Sequence, residues 1–337
     1  MDTAIVILNW NGLHFMKRFL PVLKADTPKE NFFIVVADNG STDGSVEWLK
    51  AEHPDVQLIE FDKNYGFTEG YNRAFREIDA DYYILLNSDV EVTPGWAETL
   101  IGFMEDNPDA GICQPKILSE ANRDTFEYAG AAGGFIDHFG YPFCRGRILS
   151  NIEKDHGQYD EEEEIFWAAG ACMVVRASLY HHLGGLDELF FAHMEEIDFC
   201  WRAKLLGFQV WAVPQAKIYH VGGGTLPNNS PRKLYYNYRN NLLMLYKNLP
   251  GNLRWRLIAI RQFMDFLSAM VYLFTFKWSW CKAVFQAHHD YRKLKKVEDH
   301  SVFSEEFNDI GHYPGSILLK FFLSGKKLTF DQLRFKR

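Results

Sequence analysis

The sequence predicts an α/β fold, a mostly parallel sheet flanked by helices, followed by a basic, aromatic-rich helical C-terminal region. Three observations carry this reading. Apolar strand runs alternate with helical stretches from Ala4 to about Gly111, and β and α in that order call for a parallel sheet with helices on both faces. The chain of 337 residues is 47% hydrophobic, enough for one catalytic-size core and an appendage. Charge is unevenly divided: residues 231–296 hold 13 Lys and Arg against Asp265 and Asp290, a net +11, which leaves −19 on the remainder within a total of −8. Two parts so different in charge meet different partners.

The first strand, Ala4 to Leu8, opens into Leu8-Asn9-Trp10-Asn11-Gly12. Polar amides thus reach the sheet edge without the G-x-G-x-x-G spacing of a dinucleotide fold. A helix follows over Leu13–Lys24, where apolar residues recur at helical spacing. The second strand, Phe32 to Ala37, delivers Asp38-Asn39-Gly40-Ser41-Thr42-Asp43-Gly44. A carboxylate there can read a base or ribose, and the same residues make an ordinary turn and helix cap. Helix Ser45–His53 and strand Val56–Phe61 come next, then Asn64-Tyr65-Gly66-Phe67-Thr68-Glu69-Gly70-Tyr71-Asn72 before a helix over Phe67–Ile78. Its glycines permit close backbone approach, and a helix N-terminus suits phosphate oxygens; a tight strand-to-helix turn needs the same residues.

The run Tyr82-Tyr83-Ile84-Leu85-Leu86 ends in Asn87-Ser88-Asp89, and Val90-Glu91-Val92 resumes alternation. Asp89 is therefore expected on a short connection at the carboxyl edge, where open α/β sheets bind ligands. The middle of the chain, Ile112 to Thr225, reads as less regular. Gly130–Gly134 and the acidic run Asp160–Glu164 read as loops, the latter as a solvated face or flap. Strands are expected at Ala171–Arg176 and Phe208–Val213, with a helix over Glu195–Leu206 between them. Glu195-Glu196-Ile197-Asp198 opens that helix, a placement the helix dipole favours and one that also suits a general base. His220 ends a late strand at a Gly run, and paired with Asp89 it could hold a divalent cation with open positions for diphosphate oxygens. Trp167 is a candidate for stacking on a sugar, and equally a core residue.

Beyond Pro231 the chain turns to Arg, Lys and aromatic residues. Its longest uncharged stretch, Phe266–Phe276, has 11 residues, short of the roughly 20 that cross a bilayer. Basic flanks and Trp and Tyr suit helices lying in a membrane interface; a helical packing domain is the other reading. The aromatic density and the acidic remainder argue against a nucleic-acid partner. Five scattered cysteines without C-x-x-C spacing imply neither a disulfide frame nor a zinc site and fit a reducing cytoplasm, and Met1-Asp2-Thr3 enters strand-like sequence with no basic signal region. There is no phosphate-binding loop, G-x-S-x-G elbow or H-E-x-x-H pair.

As a set, Ile5-Val6-Ile7-Leu8-Asn9-Trp10-Asn11-Gly12, the Asp38–Gly44 turn, Asn64-Tyr65-Gly66-Phe67, Leu86-Asn87-Ser88-Asp89, Gly185-Leu186-Asp187-Glu188, the Glu195–Arg202 helix and His220 resemble the family 2 inverting glycosyltransferases of GT-A fold, in particular the rhamnosyltransferase-like branch. The resemblance covers about residues 3–250. It implies a catalytic domain over residues 1–228, with residues 229–337 as the C-terminal region. It implies that Asp38 contacts the nucleotide base and that Leu8, Asn9, Asn11, Asn64, Gly66, Phe67, Asn72, Asn87, Ser88 and Asp89 line the donor site. Asp89 and His220 would bind Mg2+ or Mn2+, and Glu196, or alternatively Asp198, would be the base. Trp167, Gly170 and Glu195 would face the acceptor. Asn87 stands where the D-x-D motif often begins with Asp, and Glu196 where many relatives carry Asp. The implied partners are a dTDP- or UDP-sugar, a saccharide or lipid-linked saccharide acceptor, and the membrane surface, with the enzyme peripheral on the cytoplasmic face and working in cell-surface polysaccharide synthesis.

Overall fold

A computed structural model describes residues 1–222, 230–295 and 311–333. The chain begins as the sequence predicts: β1 (Thr3–Asn9), α1 (Leu13–Ala25), β2 (Phe32–Asp38), α2 (Ser45–Glu52), β3 (Gln57–Glu60), α3 (Gly66–Arg76), β4 (Tyr82–Leu86) and β5 (Val90–Val92), followed by a helix the sequence did not mark, α4 (Trp96–Asp106). β1 and β4 are buried along almost their whole length, which is why they read as continuous apolar runs rather than alternating ones. The pairs β1–β2, β1–β4 and β2–β3 are parallel.

The second half of the sheet departs from the expectation. β6 (Ala110–Ser119), in the stretch that reads as irregular, is a fully sheeted strand, and β12 (Cys172–Arg176) enters antiparallel between it and β4. β13 (Gln209–His220) runs parallel to β6 and antiparallel to β5, and also carries the short β11 (Glu163–Glu164). The sheet is therefore mixed, in the order β11-β13-β6-β12-β4-β1-β2-β3, with β5 on β13. β13 is longer than its sequence suggests because the register shifts between Val213 and Lys217, where Pro214 lacks an N–H to donate. A second sheet, β10-β9-β8-β7, is made from β7 (Gly134–Ile136), β8 (Pro142–Cys144), β9 (Arg147–Ile148) and β10 (Asn151–Ile152).

α5 (Ala177–His182) and α6 (Glu195–Leu205) precede β13, and α7 (Pro231–Asn248), α8 (Gly251–Phe274), α9 (Trp278–Leu294) and α10 (Ile317–Leu323) follow it. The expected boundary at residues 228/229 lies outside the described residues. One hydrophobic core holds the sheet together with Leu242, Met244 and Leu245 of α7, Ile317 and Phe321 of α10, and Phe330. α8 extends well past the uncharged stretch seen in sequence, because Arg261 and Asp265 are 3% and 2% exposed and face inward. Arg261 stacks on Tyr141 at 3.6 Å and donates to the Phe139 carbonyl. The outward face, Phe263, Phe266, Leu267, Val271 and Phe274, is an unbroken apolar stripe at helical spacing. Among the described residues α8 is the one helix long and apolar enough, by length and composition, to cross a membrane.

Candidate active site

The carboxyl ends of β1, β2, β4 and β13 converge. Asn9 Nδ2 donates to Asp38 Oδ2 at 2.9 Å and to Ser41 Oγ at 3.2 Å, while Ser41 N donates to Asp38 Oδ1 at 2.8 Å. Both Asp38 oxygens are thus engaged in the turn, and the residue is 2% exposed. Asn11, left-handed at φ 50°, accepts from Thr42 N and donates its own N–H to Ser41 Oγ, stitching the first two turns together. Leu8 packs under Gly70, where a Cβ would come within 2.8 Å of its side chain.

Asn64 is exposed and accepts from Gly66 N at 2.7 Å. Gly66 has φ 80° and a Cβ there would meet the Phe191 ring at 2.6 Å, so only glycine fits. Phe67 N donates to the Phe191 carbonyl at 3.0 Å, and a Cβ on Gly170 would touch the Phe67 ring at 3.2 Å. The turn ahead of α3 is therefore in contact with the loop ahead of α6.

At the end of β4, Asp89 Oδ1 lies 3.1 Å from His220 Nε2, and Asn87 Nδ2 lies 3.4 Å from the same nitrogen. Ser88 is half-buried between them, its Oγ facing Gly12. Glu127, which the sequence did not single out, stands on the other side of the ring, its Oε1 3.7 Å from His220 Nδ1. Burial opposes charge on His220, but the Asp89 hydrogen bond and the negative charges of Asp89 and Glu127 prevail and push it up to about 10. Burial likewise would raise the Asp89 carboxyl, yet His220 holds it below the usual carboxylate range. Two ligand atoms at roughly 2.1 Å from one octahedral ion, at right angles, are about 3 Å apart, so the Asp89–His220 spacing suits neighbouring metal ligands as well as a hydrogen bond. No group of three His, Cys, Asp or Glu side chains is arranged to hold a metal among the described residues; the pair would leave the other positions to water or substrate oxygens.

The loop into α6 is strained: Phe191, His193 and Met194 have φ of 61°, 70° and 74°. It leads into α6, where Glu196 is half-buried, with Oε2 out of solvent and without a hydrogen-bond partner among the described residues. Burial pushes its carboxyl up to about 7, against its backbone hydrogen bonds and Lys233. Glu195 is more deeply buried, and burial together with Glu196 raises it further.

The sequence profile described as "Glycosyl transferase family 2" matches residues 4–184. The chain belongs to glycosyl transferase family 2. It is 26% identical over 275 residues to the N-acetylglucosaminyl-diphospho-decaprenol L-rhamnosyltransferase of Mycobacterium tuberculosis, covering 75% of this chain and 88% of that protein. It is 26% identical over 243 residues to the dTDP-rhamnosyl transferase RfbF of Shigella flexneri, covering 68% of this chain and 76% of that one. Such relatives place it in the rhamnosyltransferase-like branch. The structure of GalNAc-T7 with UDP, GalNAc and Mn2+ superposes with a TM-score of 0.56 at 15% identity, over 73% of this chain and 47% of that one. The sheet is of the GT-A type.

Within this glycosyltransferase three sequence expectations need correction. Asp198 is not a free base: it is wholly buried, bound to Arg202 Nε at 2.9 Å, Lys247 Nζ at 3.1 Å and Asn248 Nδ2 at 2.7 Å. Burial would raise its carboxyl, but Lys247 and Arg202 hold it low. Trp167 is 3% exposed, donates Nε1 to the Phe135 carbonyl at 2.9 Å and packs flat on Gly134, so it is core and not a sugar platform. Asn72 accepts from Tyr180 Oη and Leu186 N and donates to the Leu186 carbonyl, so it shapes the Gly185–Leu186 turn rather than meeting a donor. Trp10, 45% exposed beside Asn9, is an open aromatic face that the sequence reading passed over.

Proposed function

We propose that this glycosyltransferase moves rhamnose or a similar sugar, with inversion, from a dTDP- or UDP-sugar to a saccharide carried on a membrane lipid. The observation that carries the reading is the contrast between two carboxylates, Asp89 held low beside His220 and Glu196 pushed up to about 7. Carboxylates whose environments drive their acidities apart have separate tasks. Glu196 suits the base: it takes the proton of an acceptor hydroxyl, whose oxygen forms the new bond to the anomeric carbon from the face opposite the diphosphate. The bond to the diphosphate oxygen breaks with its electron pair. A base near neutrality is worth about 10²–10⁴-fold in rate. Asp89 and His220 would hold a Mg2+ or Mn2+ ion, which neutralises charge on the departing diphosphate. Asn9, Asp38, Asn11 and Asn64 line the edge where the nucleotide would lie.

The apolar stripe of α8, with Phe276 79% and Trp278 62% exposed at the tip of the α8–α9 hairpin, supports docking on a membrane. The surrounding residues 231–296 carry +11, the sign that anionic lipid attracts. An acceptor held on lipid would meet the enzyme there, at the cytoplasmic face.

Thermal stabilisation by dTDP-rhamnose, UDP-N-acetylglucosamine, dTDP and UDP, each with and without Mn2+ or Mg2+, tests the donor site. A metal-dependent shift that is lost in Asp89→Ala supports the reading and distinguishes thymidine from uridine donors. No shift with any of them removes it.

A further inference from the structure

We propose that Asn240, oriented by Arg239, is a positioning residue that holds the loop before α6 in its left-handed form and so keeps the Glu196 carboxylate in place; the inference rests on Glu196 being the base. Asn240 is completely buried on α7. Its Oδ1 accepts from Arg239 Nε at 2.8 Å, which turns Nδ2 toward the loop. There Nδ2 lies 3.0, 2.8 and 2.7 Å from the carbonyls of Phe190, Ala192 and His193. Arg239 Nη2 adds contacts of 3.0 Å to the carbonyls of Leu189 and Phe190.

These carbonyls belong to the segment whose Phe191, His193 and Met194 occupy the left-handed region. Such backbone persists only where its surroundings over-determine it. Met194 is also the residue that caps α6, one position before Glu195 and two before Glu196. A release of the carbonyls would let the loop relax, admit water to the Glu196 pocket and misplace its oxygens. The groups that bear on Glu196 are Glu195 beside it, Cys200 one turn on, and Lys233 from the first turn of α7, while Asp198 acts on Glu195 and His193 faces Lys233. Asn240 is uncharged, so its removal acts on these through hydration and geometry alone.

The test compares Asn240→Ala with Asn241→Ala, using dTDP-rhamnose and a short-chain polyprenyl-diphosphate N-acetylglucosamine as probes. Asn241 is the neighbour on α7, equally buried, and donates to the Gly140 carbonyl at 2.7 Å, away from the loop. Asn240→Ala is expected to lower kcat by about 100-fold, as small misplacements do, with donor KM changed less than about threefold. The acidic limb of its kcat–pH profile moves down by about one pH unit as Glu196 is hydrated, and the amides of residues 189–194 exchange faster. Asn241→Ala should lose stability without any of these changes. If Asn240→Ala fails to fold, Arg239→Met, which frees the Leu189 carbonyl, removes one donor from that of Phe190 and releases the Asn240 amide oxygen, should give the same signature in weaker form. An unmoved acidic limb with unchanged loop exchange overturns the inference, as does the same signature in Asn241→Ala. Glu196→Gln, run beside them, separates the two readings. Its retained turnover overturns the base assignment, whereas its loss, with normal kinetics in Asn240→Ala, overturns only the positioning role.

Discussion

Asn248 donates to the Asp198 carboxylate across 2.7 Å and so ties the last turn of α7 to the first turn of α6. The bond sits out of solvent, with Lys247 and Arg202 completing the carboxylate's partners. Asn248→Ala leaves a buried charged oxygen one partner short, which costs about 1–3 kcal/mol. Chemical denaturation should show that loss with donor binding intact.

Glu196→Gln keeps size and removes the base. Transfer should fall by at least about 100-fold while the thermal shift with nucleotide persists. In the unaltered enzyme Glu196 is protonated below about pH 7. The rate with saturating substrates should therefore climb as pH rises through about 7, and a profile flat from pH 5 to 8 would move the base role elsewhere.

Asp89→Ala removes the carboxylate from the His220 ring. Donor binding should lose its dependence on added Mn2+ or Mg2+, and with Glu127 as its remaining acidic neighbour the His220 pKa should fall. A metal titration matching that of wild type would sink the ligand assignment; proton NMR of the ring follows the second effect.

Phe274, Phe276 and Trp278 changed together to Ser should release the protein from vesicles containing anionic lipid while soluble-donor binding stays unaltered. These side chains are 77%, 79% and 62% exposed, so the change costs the fold little. Flotation with vesicles reads the outcome, and undiminished binding would end the docking proposal.

Asp137 accepts from the N–H groups of Phe139, Tyr141 and Ile317 while buried completely. Burial raises its carboxyl to about 6, against those bonds and Arg261. The folded state thus binds its proton more tightly than the unfolded chain. This contribution is present below about pH 4 and is lost as pH rises through about 6, roughly 3 kcal/mol in all. Unfolding titrations across that interval should show the decline, and Asp137→Ala should abolish this part of it while loosening α10.

Much of the sheet edge was legible because the signals are local. The runs that became β1, β2 and β4 have nothing polar to offer a core, so their first polar residues, Asn9, Asp38 and Asn87 to Asp89, had to fall at the sheet edge. The surroundings of α6 were not. Glu196 and Asp198 are indistinguishable as neighbours on a helix turn; they separate only because Lys247 and Asn248 arrive from α7 to occupy one and leave the other. Trp167 reads equally as a sugar platform or as core until Gly134 is brought beneath it from β7. β6 was missed because Gly111, Gln114, Pro115 and Lys116 break its apolar run, and Lys116 is tolerated only because Asp155 and Asp160 reach its ammonium. In each case the deciding partner is distant in sequence.

The small sheet is closed by residues 317–330, far along the chain from its own strands. Ile317 N caps onto Asp137, Asn151 Nδ2 donates to the Leu328 carbonyl, and the Phe330 ring packs on Phe135, Phe143 and Tyr159. A nascent chain therefore cannot finish the middle of the molecule when that middle leaves the ribosome. Until residues 317–330 emerge, Phe135 and Phe143 lack the Phe330 ring that covers them.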